Sequence, residues 1–309
     1  MTISEVDDPV AAPEEVVVDI VATALNRADI MQRMGLYPGP KMAVEIPGLE
    51  FAGRVRSCGS RATMWNPGDA VMAITGGGAY AEQIAIHERQ LMAVPSTIDL
   101  VDAAGIPEVF LTAWDALVVQ GGLTSGRAAL VHAGASGVGT AAIQIAMAIG
   151  ASVTVTCSAG KADACRELGA TALERSPHDW LAEAQAQRPQ GYDVILDVVG
   201  GDELNRNLQA VALKGTIVQV GTMAGSTVPV NLGALMFKRA RLIGTVLRAR
   251  PLEEKIALTR RFEAEMLPLF ASGRMRPIID SRYGLEQIAD AHRAMEANAN
   301  TGKIVVSVR

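Results

Sequence analysis

The residues most suited to chemistry lie in the glycine-rich stretch VHAGASGVGTAAIQIA, residues 131–146. An apolar run precedes the glycines and alanine-rich residues at helical spacing follow, which predicts a strand, a tight turn and a helix. At such a turn the N–H groups and partial positive charge of the helix N-terminus can bind a pyrophosphate. We therefore predict a dinucleotide-binding loop, with a glycine turn that holds no nucleotide as the alternative. Its residues are Gly134, Ser136 in place of the middle glycine of G-x-G-x-x-G, Gly137, Val138 and Gly139.

The choice of dinucleotide depends on the end of the next predicted strand, TCSAGK at 156–161. In NAD-specific sites an acidic residue about 20 positions past the loop binds the ribose 2′-hydroxyl. This segment has no carboxylate before Asp163. Ser158 and Lys161 can instead meet a 2′-phosphate, because an ammonium attracts that group. The sequence therefore favours NADPH over NADH, unless Lys161 only opens the following helix.

The elements around this loop change character along the chain. From Val16 to about Pro95, short apolar segments are punctuated by glycine and proline, which predicts strands joined by turns in a compact β domain. IPEVFLTAWDALVVQGG then predicts a helix that begins near Pro107 and ends at Gly121-Gly122. Beyond it, apolar strands alternate with helical stretches of about 10–15 residues. This alternation predicts parallel βαβ units in a doubly wound α/β sheet.

Composition excludes several classes of function. A net charge of −5 over 309 residues argues against nucleic acid or an anionic membrane surface as a partner. Three isolated cysteines and four scattered histidines show no ligand spacing, so we predict neither a disulfide framework nor a bound metal, and His132 is expected to pack at a strand end. No apolar run approaches roughly 18 residues, and the acidic N-terminus lacks the regions of a secretory signal. We therefore expect a cytoplasmic protein.

Seven stretches together resemble a known family. They are ALNRADIMQRMGLYPGP, IPGLEFAGRV, PGDAVMAI, IPEVFLTAWDAL, HAGASGVGTAAIQ, LDVVGG and ANTGKIVV. In order and over nearly the whole chain, they resemble the medium-chain dehydrogenase/reductase superfamily, and within it the zinc-free, zeta-crystallin-like quinone oxidoreductases, most closely the p53-inducible type. The resemblance implies a GroES-like, β-rich substrate domain at 1–106 and 274–309 and a Rossmann NADPH-binding domain at 107–273. It also implies a homodimer. In members of this family, a further strand usually precedes the residues with which this sequence begins.

The resemblance assigns roles to individual residues. Asn26 and Tyr37, the expected catalytic residues, line the cleft beside the nicotinamide, with a strand-end cap and a turn anchor as their alternatives. Thr112 is similar to a threonine that touches the nicotinamide, or else packs in the core. Arg175 stands where relatives often have a tyrosine near the adenosine phosphate, and it either binds the 2′-phosphate or faces solvent. Zinc-dependent relatives carry Gly-His-Glu where this chain has Gly48-Leu49-Glu50, which favours a metal-free site.

Three further segments are expected to contact the cofactor, each with a turn or surface role as the alternative. Gly221-Thr222-Met223 follow the predicted strand TIVQV, and ligands of doubly wound sheets bind at the carboxyl ends of the strands. Leu247-Arg248 follow the strand LIGTV and are expected near the nicotinamide carboxamide. Lys303, in TGKIVV, is expected at the domain junction, where it can close on the cofactor.

These observations predict an NADPH-dependent, metal-free quinone oxidoreductase that transfers hydride from NADPH to a quinone or an activated alkene. The cofactor carries the difficult chemistry, and a quinone accepts hydride with little help from an acid. A 2-enoyl thioester or polyketide-type enoyl reductase, and a non-catalytic NADPH-binding protein, are the alternatives. The expected partners are a small-molecule electrophile and a second copy of the chain, because LIGTVLRARP predicts an edge strand with unpaired backbone groups.

Overall fold

The computed structural model describes residues 1–37, 45–175 and 179–308. These residues form two compact units: those within 1–111 and 247–308 make up the first unit, and those within 112–246 make up the second unit. The strands are β1 Glu15–Ala24, β2 Glu50–Cys58, β3 Ala70–Ile74, β4 Gln83–His87, β5 Met92–Ala93, β6 Ala128–His132, β7 Ser152–Cys157, β8 Thr171–Glu174, β9 Tyr192–Asp197, β10 Val211–Gln219, β11 Arg241–Gly244, β12 Ile279–Gly284 and β13 Lys303–Ser307. The α-helices are α1 Arg27–Arg33, α2 Leu100–Ala103, α3 Pro107–Trp114, α4 Gly137–Ala148, α5 Ala162–Glu167, α6 Trp180–Gln187, α7 Glu203–Ala210, α8 Leu232–Lys238, α9 Leu252–Ala271 and α10 Ile288–Glu296.

A seven-stranded sheet organises the first unit, in the order β12-β13-β1-β2-β3-β5, with β4 also paired to β1. The β12–β13 pair is parallel, and β1 is antiparallel to β2, β4 and β13. Val16, Val18 and Ile20 of β1 are fully buried and pack with Phe51 in the core of this unit. Because Ala22 of β1 pairs with Ser307, the last strand of the chain completes the sheet that the first one begins.

The long helix α9 belongs to the first unit, which differs from the domain boundary predicted at residue 273. Its apolar face packs on the β-rich unit, where Phe270 meets Phe110 edge to face at 4.8 Å. Glu253, in its first turn, accepts two hydrogen bonds of 3.1 Å from Arg89. Periodicity identifies the helix but not the surface that covers it, so the second boundary falls at 246/247 instead.

A parallel sheet of six strands organises the second unit, in the order β11-β10-β9-β6-β7-β8. Counted from β6, this is the 3-2-1-4-5-6 order of the Rossmann fold. All of β6 is buried, as expected for a strand covered by helices on both faces. The predicted doubly wound sheet is confirmed, and its strand order reverses between β6 and β9. Ligands of such sheets bind at the carboxyl ends of the strands at this reversal.

The predicted helix at 107–120 is present, but its second half is a turn of π-helix. α3 ends at Trp114, and Asp115–Gln120 continue with wider π-helical spacing up to Gly121. Asp115 is fully buried, and its carboxylate accepts hydrogen bonds from Gln120 Nε2 at 3.1 Å and Thr245 Oγ1 at 2.8 Å. Within 1–37, 45–175 and 179–308, no helix combines the length and apolar character needed to cross a bilayer.

Candidate active site

The glycine loop joins β6 to α4, and close packing requires two of its glycines. A Cβ at Gly134 would lie 2.4 Å from the Cβ of Val155, and one at Gly139 would lie 2.4 Å from the carbonyl oxygen of Ala133. Ser136 is the N-cap of α4, where its Oγ accepts a 3.0 Å hydrogen bond from the Gly139 N–H. The serine that replaces the middle glycine therefore stabilises the start of the helix.

Two backbone donors of this loop remain for a ligand. Gly137 and Val138 are the first residues of α4, and their N–H groups donate to no residue within the described ranges. Helix N-termini leave such donors unpaired and carry a partial positive charge, both of which suit a pyrophosphate. The close backbone approach and the two donors fit the dinucleotide that the sequence predicts.

The predicted 2′-phosphate residues lie together at the carboxyl ends of β7 and β8. Ser158 is exposed and precedes a 3₁₀ turn, in which the Lys161 N–H donates to the Ser158 carbonyl at 2.9 Å. The Arg175 N–H donates to the Cys157 carbonyl at 2.9 Å, which places Arg175 beside the same strand end. Its guanidinium pairs with Glu203 Oε1 at 2.5 Å. Sequence reasoning did not foresee this ion pair, because 28 positions separate the two residues.

Gly221, Thr222 and Met223 follow β10 at the carboxyl edge of the sheet, as predicted. The Gly221 carbonyl accepts a 2.6 Å hydrogen bond from Gln219 Nε2, and Thr222 and Met223 are exposed. A buried carboxylate holds the adjoining turn, since Asp197 Oδ1 accepts from the N–H groups of Val199 at 2.6 Å and Gly200 at 3.0 Å.

The Asp197 carboxylate is the end of a buried polar chain that sequence analysis missed. Asn207 Nδ2 donates to Asp197 Oδ2 at 2.8 Å, and Asn207 Oδ1 lies 2.7 Å from His132 Nε2. His132 Nδ1 lies 2.9 Å from Thr156 Oγ1, so both ring nitrogens have partners. The prediction that His132 packs at a strand end is confirmed, because it ends β6 and is fully buried.

Asn26 and Lys303, predicted in separate roles, lie in one buried cluster of the first unit. Lys303 Nζ donates to the Leu25 carbonyl at 2.6 Å, to Asn26 Oδ1 at 2.7 Å and to Glu50 Oε1 at 2.7 Å. An ammonium has three donors, so no Lys303 donor is left for a cofactor in this structure. Asn26 Nδ2 donates to Glu50 Oε1 at 2.8 Å and to the Ala24 carbonyl at 3.3 Å, which engages this amide as well.

A second buried carboxyl adjoins this cluster. Asp29, in α1, accepts a 2.7 Å hydrogen bond from the Asn26 N–H through Oδ2. The pKa of Asp29 is raised to about 7, mainly by burial and also by the Glu50 charge, while the Asn26 hydrogen bond and Lys303 oppose the rise. Asp29 therefore changes its charge near neutral pH, which nothing in the sequence around α1 indicates.

Tyr37 and Arg248 form a stacked pair within the first unit. The guanidinium carbon of Arg248 lies 5.0 Å from the centre of the Tyr37 ring, and its Nη1 donates to the Tyr37 carbonyl. Arg248 Nε also donates to the Gly76 carbonyl at 2.8 Å. Burial raises the pKa of Tyr37 to about 12, so this phenol keeps its proton at neutral pH. The predicted turn GLYPGP spans 35–40, and its part after Tyr37 lies outside the described residues.

Glu108, the second residue of α3, adjoins the Lys303 cluster and is not among the residues that the sequence predicted. Its N–H donates to Glu50 Oε2 at 2.8 Å, which ties α3 to the Lys303 cluster. The pKa of Glu108 is raised to about 8, mainly by burial and also by the charges of Glu50 and Asp29, while Lys303 and Arg248 oppose the rise. A signal was available, because Glu108 is the one acidic residue in the apolar run IPEVFLTAW.

Two further residues that were predicted to contact the cofactor lie inside the fold. Thr112 in α3 and Leu247 after β11 are both buried. In the part of the chain that the structure describes, no group of three His, Cys, Asp or Glu residues is arranged to hold a metal ion. At the segment Gly48-Leu49-Glu50, the Glu50 carboxylate binds the ammonium of Lys303.

Comparisons with known proteins agree with this architecture. A family model described as a zinc-binding dehydrogenase matches residues 168–306, and one described as the alcohol dehydrogenase GroES-like domain matches residues 12–96. A quinone oxidoreductase from Pseudomonas aeruginosa is 34% identical over 302 residues, which span 95% of this chain and 91% of that protein. The human synaptic vesicle membrane protein VAT-1 homolog is 29% identical over 315 residues, spanning 96% and 80% of the two chains. The solved structure of Escherichia coli quinone oxidoreductase complexed with NADPH has a TM-score of 0.88 and 26% identity, covering 99% of this chain and 95% of that one.

A GroES-like unit built from both chain ends and a six-stranded Rossmann unit together define a medium-chain dehydrogenase/reductase, which confirms the predicted fold class. Within that superfamily, the chain belongs to the quinone oxidoreductase family. It is therefore an oxidoreductase of a family that binds nicotinamide dinucleotides.

Proposed function

We propose that the protein is a metal-independent, NADPH-dependent reductase of quinones or activated alkenes. The observation that carries this proposal is the ammonium of Lys303, which lies 2.6–2.7 Å from three oxygens of the first unit. Asn26 and Glu50 thus bind a fixed cation of the chain itself. Such a site suits an acceptor whose carbonyl group needs no further polarisation in order to accept a hydride. A quinone is one, because resonance stabilises the oxyanion that forms when it is reduced.

The second unit would hold the cofactor through two groups of residues. The N–H groups of Gly137 and Val138 would bind the pyrophosphate, and Ser158 and Lys161 would bind the 2′-phosphate. Arg175 would bind the 2′-phosphate only if its guanidinium released its present partner, Glu203. Bound NADPH would supply the hydride. The NADPH-complexed Escherichia coli relative supports this choice of cofactor.

The Tyr37–Arg248 pair would receive the acceptor in the first unit. A phenol that keeps its proton can donate a hydrogen bond to a carbonyl oxygen, and the positive charge of Arg248 beside it favours a developing oxyanion. Asn26, whose amide is held by Lys303 and Glu50, would fix the wall next to this pair.

We also propose that the protein is a homodimer joined at the edge of its Rossmann sheet. β11 ends the strand order, and Leu242 on it is 41% exposed. Met236 and Phe237 of the neighbouring α8 are 74% and 88% exposed. An edge strand next to exposed apolar side chains is suited to pairing with an identical strand, which would bury both.

A parallel assay tests the proposed activity. Oxidation of NADPH and of NADH would be followed with ortho-quinones, para-quinones, alkenals and crotonyl-CoA at matched concentrations. We expect quinones to be reduced fastest and NADPH to be preferred. Crotonyl-CoA reduced faster by orders of magnitude would overturn the quinone assignment in favour of an enoyl reductase. NADPH binding without turnover of any acceptor would indicate a non-catalytic protein.

A further inference from the structure

A cavity of about 260 Å³ lies in the second unit, at the amino ends of β9 and β10. One water molecule occupies about 30 Å³ in the liquid, so the cavity has room for a small organic molecule. Its floor is buried and is formed by Ala184, Gly191, Tyr192 and Ala210, and its exposed rim includes Gln185 and Gln209. The glycine loop follows β6 at the carboxyl ends of the strands, so this cavity is not part of the dinucleotide site.

Two cations line the cavity: Arg188, which follows α6, and Lys238, the last residue of α8. Arg188 Nε donates to the Gly191 carbonyl at 2.9 Å, and Lys238 Nζ donates to the Val211 carbonyl at 2.8 Å. These two backbone segments are in contact, because a Cβ at Gly191 would lie 2.8 Å from the carbonyl carbon of Val211. The backbone therefore anchors both cations at neighbouring points of one cavity.

Both cations keep donors that the protein does not use. An ammonium has three N–H donors and a guanidinium has five. Lys238 uses one of them and forms no ion pair with a described residue. Arg188 Nη2 lies 3.8 Å from Asp193 Oδ2, too far for a hydrogen bond, and that oxygen already accepts one of 2.8 Å from the Ala128 N–H. Two N–H groups of Lys238 and the Nη groups of Arg188 are therefore left for a ligand.

The charges and donors of the cavity suit an oxyanion. The carboxyl ends of α6 and α8 carry partial negative charge, which accounts for cations at these positions. Only the Asp193 carboxylate faces them as a full negative charge, so one positive charge is in excess. A phosphate group has three strong acceptor oxygens and a charge of about −1.5 to −2 at neutral pH. A guanidinium can bind such a group with two parallel hydrogen bonds, and an ammonium binds it as a point charge.

We propose that this cavity binds the phosphate group of a small phosphomonoester between Arg188 and Lys238. The amides of Gln185 and Gln209 on the rim would bind polar groups of the organic part. Gln185 forms no side-chain hydrogen bond with a described residue, so its amide is available for this contact. The inference goes beyond the proposed function and does not depend on it, because the cavity and the dinucleotide loop lie at opposite edges of the sheet.

Calorimetric titration of glycerol 3-phosphate into the full-length protein tests the site. We expect the wild type to bind one molecule per chain, more tightly than it binds inorganic phosphate or sulfate, which offer nothing to the rim. Lys238→Met should weaken this binding by about 10- to 100-fold, because a charged hydrogen bond to the phosphate is lost. Lys238→Arg keeps the charge and should keep most of the affinity.

A second variant tests the site without removing any hydrogen bond of the protein. Gln185→Glu adds a carboxylate at the exposed rim and should weaken glycerol 3-phosphate by about fivefold or more, the effect of two like charges about 4 Å apart in water. Gln187→Glu is the matched control, because Gln187 is exposed on the same helix but does not line the cavity. Its affinity for glycerol 3-phosphate should equal that of the wild type.

The outcomes decide the proposal. Weakening by Lys238→Met and Gln185→Glu, with Gln187→Glu unchanged, supports it. A wild type that binds no glycerol 3-phosphate at millimolar concentration overturns it. Binding that survives Lys238→Met and Gln185→Glu but is lost in Lys161→Ala would place the phosphate at the carboxyl edge of the sheet and would also overturn it. Equal affinities for sulfate, inorganic phosphate and glycerol 3-phosphate would indicate an adventitious ion only, and the phosphomonoester site would be rejected.

Discussion

Replacing Lys303 by methionine would break the buried cluster of the first unit at the cation that binds Glu50. The Lys303 side chain is 3% exposed and that of Glu50 is fully buried, so water cannot replace the lost ammonium. Removing one partner of such a pair costs about 3–5 kcal/mol, because the other charge is left uncompensated. At about 2–4 °C per kcal/mol for a unit of this size, Tm should fall by roughly 6–20 °C.

The assay is thermal and chemical unfolding of four proteins: wild type, Lys303→Met, Glu50→Gln and the double variant. The double variant should recover most of the loss, because it replaces the pair by neutral groups of similar volume. Lys255→Met is the matched control, because the half-buried Lys255 makes no hydrogen bond or ion pair with a described residue.

Two results would refute this reasoning. A Lys303→Met protein as stable as the Lys255→Met control would show that the ammonium contributes nothing net to stability. Single-variant losses that simply add in the double variant would show that Lys303 and Glu50 are not coupled, despite their 2.7 Å contact.

Three further predictions concern the second unit. Lys161→Ala should weaken NADPH binding by roughly 10- to 100-fold in calorimetry, the equivalent of a charged hydrogen bond of about 1.5–3 kcal/mol, and should barely change NADH binding. Gly139→Ala should lower stability by about 1–3 kcal/mol through overpacking and should weaken both dinucleotides, because its Cβ meets a backbone oxygen at 2.4 Å. Phe237→Glu should convert a dimer into a monomer in light scattering, because the charge would be buried at the proposed interface.

Each of these predictions has a result that contradicts it. If Lys161→Ala weakened NADPH binding and NADH binding equally, the assignment of Lys161 to the 2′-phosphate would be wrong. Arg127→Ala changes an exposed arginine of the same unit and controls for a general loss of positive charge. Unchanged dinucleotide binding in Gly139→Ala would show that the loop does not hold the pyrophosphate. A wild type that is already a monomer at micromolar concentration would exclude the dimer.

The features that the sequence predicted are those determined by near neighbours in the chain. The strand, glycine turn and helix at 131–146 follow from local spacing. Ser136 caps the helix by accepting a hydrogen bond from the Gly139 N–H, only three residues further along the chain. The alternation of strands and helices sufficed for the doubly wound sheet, because each βαβ unit is a continuous segment. The resemblance to the medium-chain dehydrogenase/reductases, which was confirmed, placed the two ends of the chain in one domain.

The features that only the tertiary structure decided are contacts between residues that are distant in sequence. Lys303 meets Glu50 across 253 positions, so its three donors could not be assigned from TGKIVV. Helix α9 joins the first unit because its apolar face meets Phe110, and periodicity alone does not say which surface covers such a face. The acidity of Glu108 depends on burial and on charges from α1, β2, β13 and the segment after β11. A pKa is a property of the surroundings in space, and only the folded chain brings those surroundings together.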